Sequence, residues 1–175
     1  MNKLGITQVI WLEGDTCEPL TSGHTDGYVL CAPGRVVLVE AYDDKTIEPA
    51  MWREHDIALL ANATSADGLA FKPVRVSSPR QRYWGGDPET FAPAYLNAYV
   101  ANGAVIGAQF GDPKRDVAAK KTLAKAFPGR EIVMLRIDAI ANGGGGVHCL
   151  TQPMPIRKYL LDAHKLEGGY DDPAN

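Results

Sequence analysis

The chain has 175 residues, of which 45% are hydrophobic and 22% charged, and its formal net charge is −3. This length is typical of one domain, and there is no basic excess of the kind that nucleic-acid-binding proteins carry. The apolar stretches have the length of strands rather than of membrane spans, and the N-terminal stretch lacks the apolar segment of a signal peptide. We therefore expect a cytoplasmic protein that binds neither nucleic acid nor a membrane.

The first part of the chain predicts a strand, a hairpin and a closing strand. The Ala32-Pro33-Gly34 turn joins the two strands of the hairpin. The β-branched and apolar runs that predict these strands are Ile6–Leu12, Gly27–Cys31, Arg35–Val39 and Leu69–Val76.

A helix is predicted between the hairpin and the closing strand, from Thr46 to Ala63. Thr46 is expected to cap the first turn, in which Pro49 has a favoured position. The apolar face of the helix, which we expect to be buried, consists of Trp52, Leu59, Leu60 and Ala63.

The same order of elements recurs in the second half. Strands are predicted over Ala94–Val100, Ala104–Gln109 and Glu131–Ile137. Between the last two, Asp112-Pro113 is a strong helix start, because aspartate caps a helix and proline suits its first position. This helix is expected to run to Phe127.

Both halves therefore have the order β-β-α-β, over about residues 28–76 and 94–137, and matching positions such as Val37 and Val105 lie 68 residues apart. Repetition with one supersecondary unit per period suggests a radial or stacked α/β array. An ordinary α/β sandwich with coincidental repetition is the alternative.

Partial units are expected at both ends. Ile6–Leu12 has the place of a closing strand, and Gly146–Thr151 has the place of an opening strand. A short helix over Ile156–Leu166 would belong to a C-terminal tail of residues 156–175. The long segment Pro79–Pro93 is either a solvated connection or a lid over a site.

Two loops contain residues suited to chemistry. His24-Thr25-Asp26 would place an imidazole and a carboxylate on one side of a strand, where the carboxylate binds a cation and the imidazole moves protons. A solvated loop is the alternative, because this pattern is common. Equivalent points of two repeats face one axis, so we expect His24 and Asp26 to lie near Cys149.

Cys149 follows four glycines and His148. Glycine allows close approach of the backbone to a ligand, although a flexible loop before a small buried cysteine fits the same pattern. No Lys-Ser or Lys-Thr pair follows the glycines, which argues against a phosphate-binding loop. His24, Asp26, His148 and Cys149 together form a metal-site alternative, but their spacing is not that of common zinc sites. Cys17 and Cys31 have no adjacent histidine and are expected to be inert.

The stretches NGGGGVHCLTQ (Asn142–Gln152), AYLNAYVANGAVIGAQFGD (Ala94–Asp112) and GHTDGYV (Gly23–Val29) resemble the agmatine deiminase and bacterial-type peptidyl-arginine deiminase family of the guanidine-modifying superfamily. The resemblance covers residues 1–155 and only the C-terminal half of that family. It implies that the chain forms part of a five-bladed α/β propeller of β-β-α-β units.

The resemblance also implies the chemistry of the site. Cys149 would be the nucleophile, His24 the general acid and base, and Asp26 the carboxylate that binds the guanidinium. Asn97, Gly144 and Gly145 would line the site. Agmatine and water would give N-carbamoylputrescine and ammonia through a covalent amidino-thioether, with no metal or other cofactor.

Two departures from the family keep alternatives open. The R-D-x-G-P-like and E-G-G-like motifs that hold further guanidinium-binding acids in the family do not precede His24; the only E-G-G is Glu167-Gly168-Gly169. The chain would therefore be a homo-oligomer or a complex with a polypeptide supplying the N-terminal half, since open strand edges also favour association. A truncated or split member without activity of its own, a peptidyl-arginine deiminase and an amidinotransferase are the alternatives.

Overall fold

The computed structural model describes residues 6, 8–15, 17–18, 23–83 and 85–154. Within these residues, six strands form two three-stranded sheets. The strands are β1 (Val29–Ala32), β2 (Val36–Ala41), β3 (Lys72–Ser77), β4 (Tyr99–Val100), β5 (Ala104–Gln109) and β6 (Glu131–Arg136). The helices are α1 (Thr25–Tyr28), α2 (Glu48–Asn62), α3 (Pro113–Ala126) and α4 (Asp138–Ala141), and 3₁₀ turns cover Pro33–Arg35, Gln81–Tyr83 and His148–Leu150.

Both sheets are mixed and have the same pairing. In the first sheet β1 is antiparallel to β2, and β2 is parallel to β3 across the crossover helix α2. In the second sheet β4 is antiparallel to β5, and β5 is parallel to β6 across α3. A parallel pair needs a long connection, whereas an antiparallel pair needs only a turn. The α/β class is therefore confirmed.

The helix α3 agrees closely with the prediction. It begins at Pro113, and the Asp112 side chain accepts a hydrogen bond from the backbone N–H of Arg115 at 3.3 Å. Its buried residues are Ala119, Leu123 and Ala126, which pack in the larger of two apolar clusters. Local signals set both ends of this helix.

The helix α2 differs from the prediction in its cap and in its buried face. Thr46 does not cap it, because the backbone N–H and the hydroxyl of Thr46 both donate to Asp44, at 2.9 and 2.6 Å. Ile47 is the capping residue, without a side-chain bond. The buried residues of the helix are Ala50, Arg53, Asp56, Ile57 and Leu60. The charged members of this face interrupt the apolar pattern and conceal it in the sequence.

Two predicted strands are wrong or mostly wrong. The described residues of Ile6–Leu12 form no strand, although Ile10 and Leu12 pack against the smaller apolar cluster; apolar composition reports packing, while a strand also needs a partner for its backbone groups. Of Ala94–Val100 only the last two residues pair, because the backbone N–H groups of Tyr95 and Leu96 donate to the buried carboxylate of Glu40.

The two predicted strands at the candidate site are also corrected. His24 and Asp26 do not start a strand, since His24 is the N-cap of α1 and β1 begins only at Val29. Gly146–Thr151 contains a 3₁₀ turn, in which the N–H of Thr151 donates to His148 O at 3.0 Å. The predicted helix Ile156–Leu166 and the tail lie outside the described residues.

The two sheets share the larger cluster. Its fully buried aromatic residues are Tyr95, Phe110 and Phe127, and Phe110 meets the Tyr95 ring edge-on with centroids 5.5 Å apart. Leu38 of β2 and Val76 of β3 belong to the same cluster, so the first sheet packs on the second. Across the described stretches, we find no helix with the length and apolar character that a bilayer crossing requires.

Candidate active site

Three segments that lie far apart in sequence meet at one point. They are α1 with Asp26, the segment before β4 with Asn97, and the 3₁₀ turn with Cys149. The Asn97 amide Nδ2 donates to Asp26 Oδ2 at 3.0 Å and to Cys149 Sγ at 3.1 Å. The Cys149 thiol also lies 3.4 Å from Asp26 Oδ2. The structure thus brings together three of the residues named from the sequence.

Asn97 organises this meeting point. Its side chain is 4% exposed, and its Oδ1 accepts from the backbone N–H groups of His148 at 3.0 Å and Cys149 at 3.3 Å. An asparagine amide has both donors and acceptors, and here the two ends hold different segments. The orientation of Cys149 relative to Asp26 therefore depends on Asn97.

The glycines before Cys149 are required by close packing. A Cβ on Gly146 would lie 2.5 Å from Asn97 Oδ1, and one on Gly145 would lie 3.3 Å from Cys149 Cβ. Gly144 has a φ of 82°, in the left-handed region that favours glycine. Each of the three glycines thus has its own steric reason beside the thiol.

Asp26 is the charged group beside the thiol. Burial opposes its ionisation, but hydrogen bonds from His148, Cys149 and Asn97 outweigh this effect and hold the pKa of Asp26 below its usual value. The closest of these bonds, from His148 Nδ1 to Oδ2, is 2.9 Å long. Asp26 is therefore a carboxylate at neutral pH.

The meeting point opens into a cavity of about 530 Å³. All six residues named from the sequence line it, namely His24, Asp26, Asn97, Gly144, Gly145 and Cys149. The wall also contains five further acids, Asp15, Glu18, Glu40, Asp43 and Asp44. The lining bases Arg53 and Arg80 are ion-paired with Asp15 at 3.4 Å and Asp112 at 2.6 Å. Burial keeps Glu40 largely protonated at neutral pH, but the other lining acids still outnumber the two arginines, and a cavity with such a charge balance attracts a cation.

A model of the Porphyromonas-type peptidyl-arginine deiminase family matches residues 1–155. The chain belongs to this family. It is 34% identical to the agmatine deiminase of Medicago truncatula, over 87% of this chain and 46% of that protein. It is 31% identical to the agmatine deiminase of Pseudomonas putida, over 90% of this chain and 47% of that protein.

A solved structure, the agmatine deiminase of Enterococcus faecalis, matches with a TM-score of 0.73 and 25% identity, over 85% of this chain and 45% of that one. The chain thus spans about half the length of the curated relatives it matches. The resemblance read from the motifs is confirmed, and the partial coverage of the relatives is consistent with the predicted restriction to the C-terminal half.

A buried polar network lies beside the cavity of this deiminase-family protein, and the sequence analysis did not predict it. The guanidinium of Arg53 stacks on the Tyr28 ring, 3.5 Å from its centroid, and the Tyr28 hydroxyl donates to Asp56 at 2.7 Å. Asp15, 1% exposed, completes the network as the ion-pair partner of Arg53. Arginine and aspartate three positions apart on the buried face of α2 are the sequence signal that we overlooked.

Glu40 is a third buried acid, after Asp15 and Asp56, that the sequence did not reveal. Its carboxyl oxygen Oε2 accepts from the backbone N–H groups of Tyr95 at 2.8 Å and Leu96 at 3.2 Å. Burial raises the pKa of Glu40 to about 8, against the opposing effect of these bonds. Glu40 is thus largely protonated at neutral pH, and it fixes the backbone directly before Asn97.

The loop Pro79–Pro93 contributes to the wall of the cavity through Pro79, Arg80 and Phe91. The Arg80 side chain anchors it by a two-fold hydrogen bond to the buried Asp112. The metal-site alternative gains no support, since no three His, Cys, Asp or Glu side chains of the described part are placed to hold a metal ion.

Proposed function

We propose that the protein hydrolyses the guanidinium group of agmatine to N-carbamoylputrescine and ammonia. The observation that carries this proposal is the Cys149 thiol 3.4 Å from the ionised Asp26 carboxylate, inside a cavity with acidic walls. The names of the relatives support the substrate class. A cytoplasmic location stays a prediction.

Asp26 would bind the planar cation by charge-assisted hydrogen bonds. The bound positive charge favours ionisation of the nearby Cys149 thiol, and the thiolate is the reactive form. Sulfur attacks the central carbon of the guanidinium, and the C–N π electrons move onto nitrogen to give a tetrahedral adduct. His24, which lines the same cavity, would then protonate the departing amine as ammonia.

The amidino-thioether that remains is hydrolysed in the second half of the reaction. His24 would take a proton from a water molecule, whose oxygen attacks the same carbon. Collapse of the second adduct breaks the C–S bond, regenerates the Cys149 thiolate and releases the ureido product. Asn97, through its bond to Sγ, would hold the sulfur in place during both steps, while Gly144 and Gly145 leave room for the flat substrate.

The remaining guanidinium contacts are expected from outside the residues described. In the family, further acids lie in the half that this chain does not span, so we infer that full activity needs that half, a second copy or a complementary polypeptide. We also infer that the two β-β-α-β units are adjacent blades of a propeller. A measurement of particle mass with and without the complementary half tests the assembly.

Formation of ureido product from agmatine by the wild type and by Cys149→Ala tests the function, with the complementary half added. We expect product from the wild type and none from Cys149→Ala, while the matched control Cys31→Ala keeps full activity because this thiol is outside the cavity lining. Equal rates for wild type and Cys149→Ala would overturn the proposal. Free arginine and arginine peptides in the same assay separate agmatine from peptidyl-arginine as substrate, and an added acceptor amine reveals amidino transfer.

A further inference from the structure

His148 contacts the substrate-binding carboxylate without lining the cavity. Its Nδ1 lies 2.9 Å from Asp26 Oδ2, while the residues around the cavity include Asp26, Asn97 and Cys149 but not His148. Its side chain is 46% exposed. The half-exposed imidazole therefore contacts Asp26 at Oδ2, the oxygen that Asn97 and Cys149 also contact.

The direction of this hydrogen bond follows from the charge on Asp26. An ionised carboxylate only accepts hydrogen bonds, and Asp26 is ionised at neutral pH. Nδ1 of His148 must therefore carry the proton, in both the neutral and the charged imidazole. Because Asn97, Cys149 and His148 all bond to Oδ2, Oδ1 is the oxygen that we assign to the guanidinium.

The backbone holds the imidazole in this position. The N–H of His148 donates to Asn97 Oδ1 at 3.0 Å, and its carbonyl accepts from the N–H and the hydroxyl of Thr151, both at 3.0 Å. His148 is thus fixed on both sides of its Cα within the 3₁₀ turn. The same turn that contains Cys149 therefore holds the His148 side chain in contact with Asp26.

We propose that His148 is a positioning residue that acts through Asp26: its Nδ1–H fixes the plane of the carboxylate for the incoming guanidinium. The inference rests on the role of Asp26 given under Proposed function. It adds a determinant of substrate binding that does not involve the general acid and base.

The described neighbours of His148 differ in charge, and the experiment has to separate their effects. Asp26 from α1 is the charged group whose contact with the imidazole the structure describes, Cys149 is the titratable neighbour on the same turn, and Asn97 from the segment before β4 is neutral. His24 is the other histidine near the site and lines the cavity. Variants that change only His148 separate the two histidines.

The test is an alkylation of Cys149 that needs no turnover. The cationic reagent 2-chloroacetamidine imitates the substrate, and neutral 2-chloroacetamide is its counterpart; in each case the thiolate forms a C–S bond and chloride leaves with the electrons of the C–Cl bond. The ratio of the two rates at Cys149, followed by peptide mass spectrometry, measures recognition of the positive charge. Differences between variants in the thiolate fraction of the free protein cancel in this ratio, whereas the additional ionisation of Cys149 by a bound cation remains part of the measured preference.

We expect wild type to prefer the cation, and Asp26→Asn to lose this preference. His148→Leu should lower the ratio about tenfold, as expected when a hydrogen bond to a charged group is lost. His148→Asn places an amide N–H near the position of Nδ1 and should keep the ratio within about twofold.

Two controls address folding and histidine loss. Thermal unfolding is measured for each variant, and His148→Gln, whose amide reaches too far to replace Nδ1, stands in for His148→Leu if that variant is unstable. His55→Leu removes an exposed histidine that pairs with Glu13 at 3.3 Å, and it should leave the ratio unchanged.

Several results would overturn the inference. One is an unchanged rate ratio in a folded His148→Leu or His148→Gln. Another is a loss of the rate ratio in His148→Asn as large as in His148→Leu. A third is a rate ratio in the double variant Asp26→Asn with His148→Leu that is lower than in Asp26→Asn alone. A wild type without preference for the cation would instead refute the role of Asp26, and with it the proposed function.

Discussion

The crossover helices of the two units have the same place in the β-β-α-β order but bury different residues. The buried face of α3 consists of Ala119, Leu123 and Ala126, which pack in the larger apolar cluster shared by both sheets. The buried face of α2 includes Arg53 and Asp56 beside its apolar residues. One helix completes a core, while the other forms a polar floor under the cavity. The same topology thus serves packing in one unit and a site in the other.

Replacement of Arg53 by methionine should have the largest effect on stability. It leaves Asp15 buried without its ion-pair partner and removes the cation from the Tyr28 ring, so we expect a loss of about 3–5 kcal/mol in the free energy of unfolding. Urea unfolding measures it. The exposed ion pair of Arg75 with Glu54 offers the control Arg75→Met, for which about 1 kcal/mol or less is expected. Similar losses of unfolding free energy in both variants would contradict the importance of the buried charged network below the cavity.

Leu123→Ala should cost stability without changing the site. Leu123 is fully buried, and such a truncation typically costs about 2–5 kcal/mol. The cation preference of Cys149 alkylation should stay as in wild type, whereas Arg53→Met should lower it through α1. Val117→Ser, on the exposed face of the same helix, is the matched control and should be neutral within about 0.5 kcal/mol.

Gly146→Ala should affect the site more than the fold. The new Cβ would lie 2.5 Å from Asn97 Oδ1, so Asn97 must move and its bonds to Asp26 and Cys149 lengthen. Overpacking of this kind lowers the free energy of unfolding by about 1–3 kcal/mol. We expect the alkylation rate of Cys149 to fall by a larger fraction than the stability does. Gly103→Ala has open space at its Cβ and should leave reactivity unchanged. Wild-type reactivity in a folded Gly146→Ala would show that Asn97 does not position the thiol.

Glu40→Gln should have the smallest effect, and one that depends on pH. The pKa of Glu40 is raised from 4.5 to about 8, so between these values the folded state holds a proton that the unfolded state has released. Wild-type stability attributable to this group therefore falls as the pH rises through this window. Glutamine cannot ionise, and its carbonyl still accepts from Tyr95 and Leu96. We expect the stability of Glu40→Gln relative to wild type to increase from about pH 5 to about pH 8.

Urea unfolding at several pH values measures this trend. Glu54→Gln is the comparison, because the hydrogen bond from Arg75 lowers the pKa of Glu54; it should show no such increase. A flat difference between Glu40→Gln and wild type would mean that Glu40 is ionised in the folded protein.

Elements with local signals were predictable from the sequence. Asp112-Pro113 sets the start of α3, and β5 has the predicted bounds Ala104–Gln109. The Ala94–Val100 strand failed because a carboxylate some 55 residues away takes its backbone N–H groups. No local pattern carries that information, since it depends on a tertiary contact.

Some residues of the candidate site were likewise predictable from the sequence, and others were not. The glycine-rich stretch and the H-x-D pattern led to Cys149, His24 and Asp26 through family motifs, and the structure places all three around one cavity. The contact of His148 with Asp26 spans 122 residues, and the Arg53 network depends on which face of α2 is buried. Both needed the three-dimensional structure.

The placement of Asn97 has a consequence for how the chain acquires its chemistry. Its amide links it to Asp26 across 71 residues and to Cys149 across 52. Contacts of such long sequence separation form slowly, because loop closure precedes them. Local elements such as α3 can therefore assemble before the sulfur has any of its partners. A chain emerging from synthesis would therefore carry a cysteine without these partners, and the proposed active site would form only once the distant segments have come together.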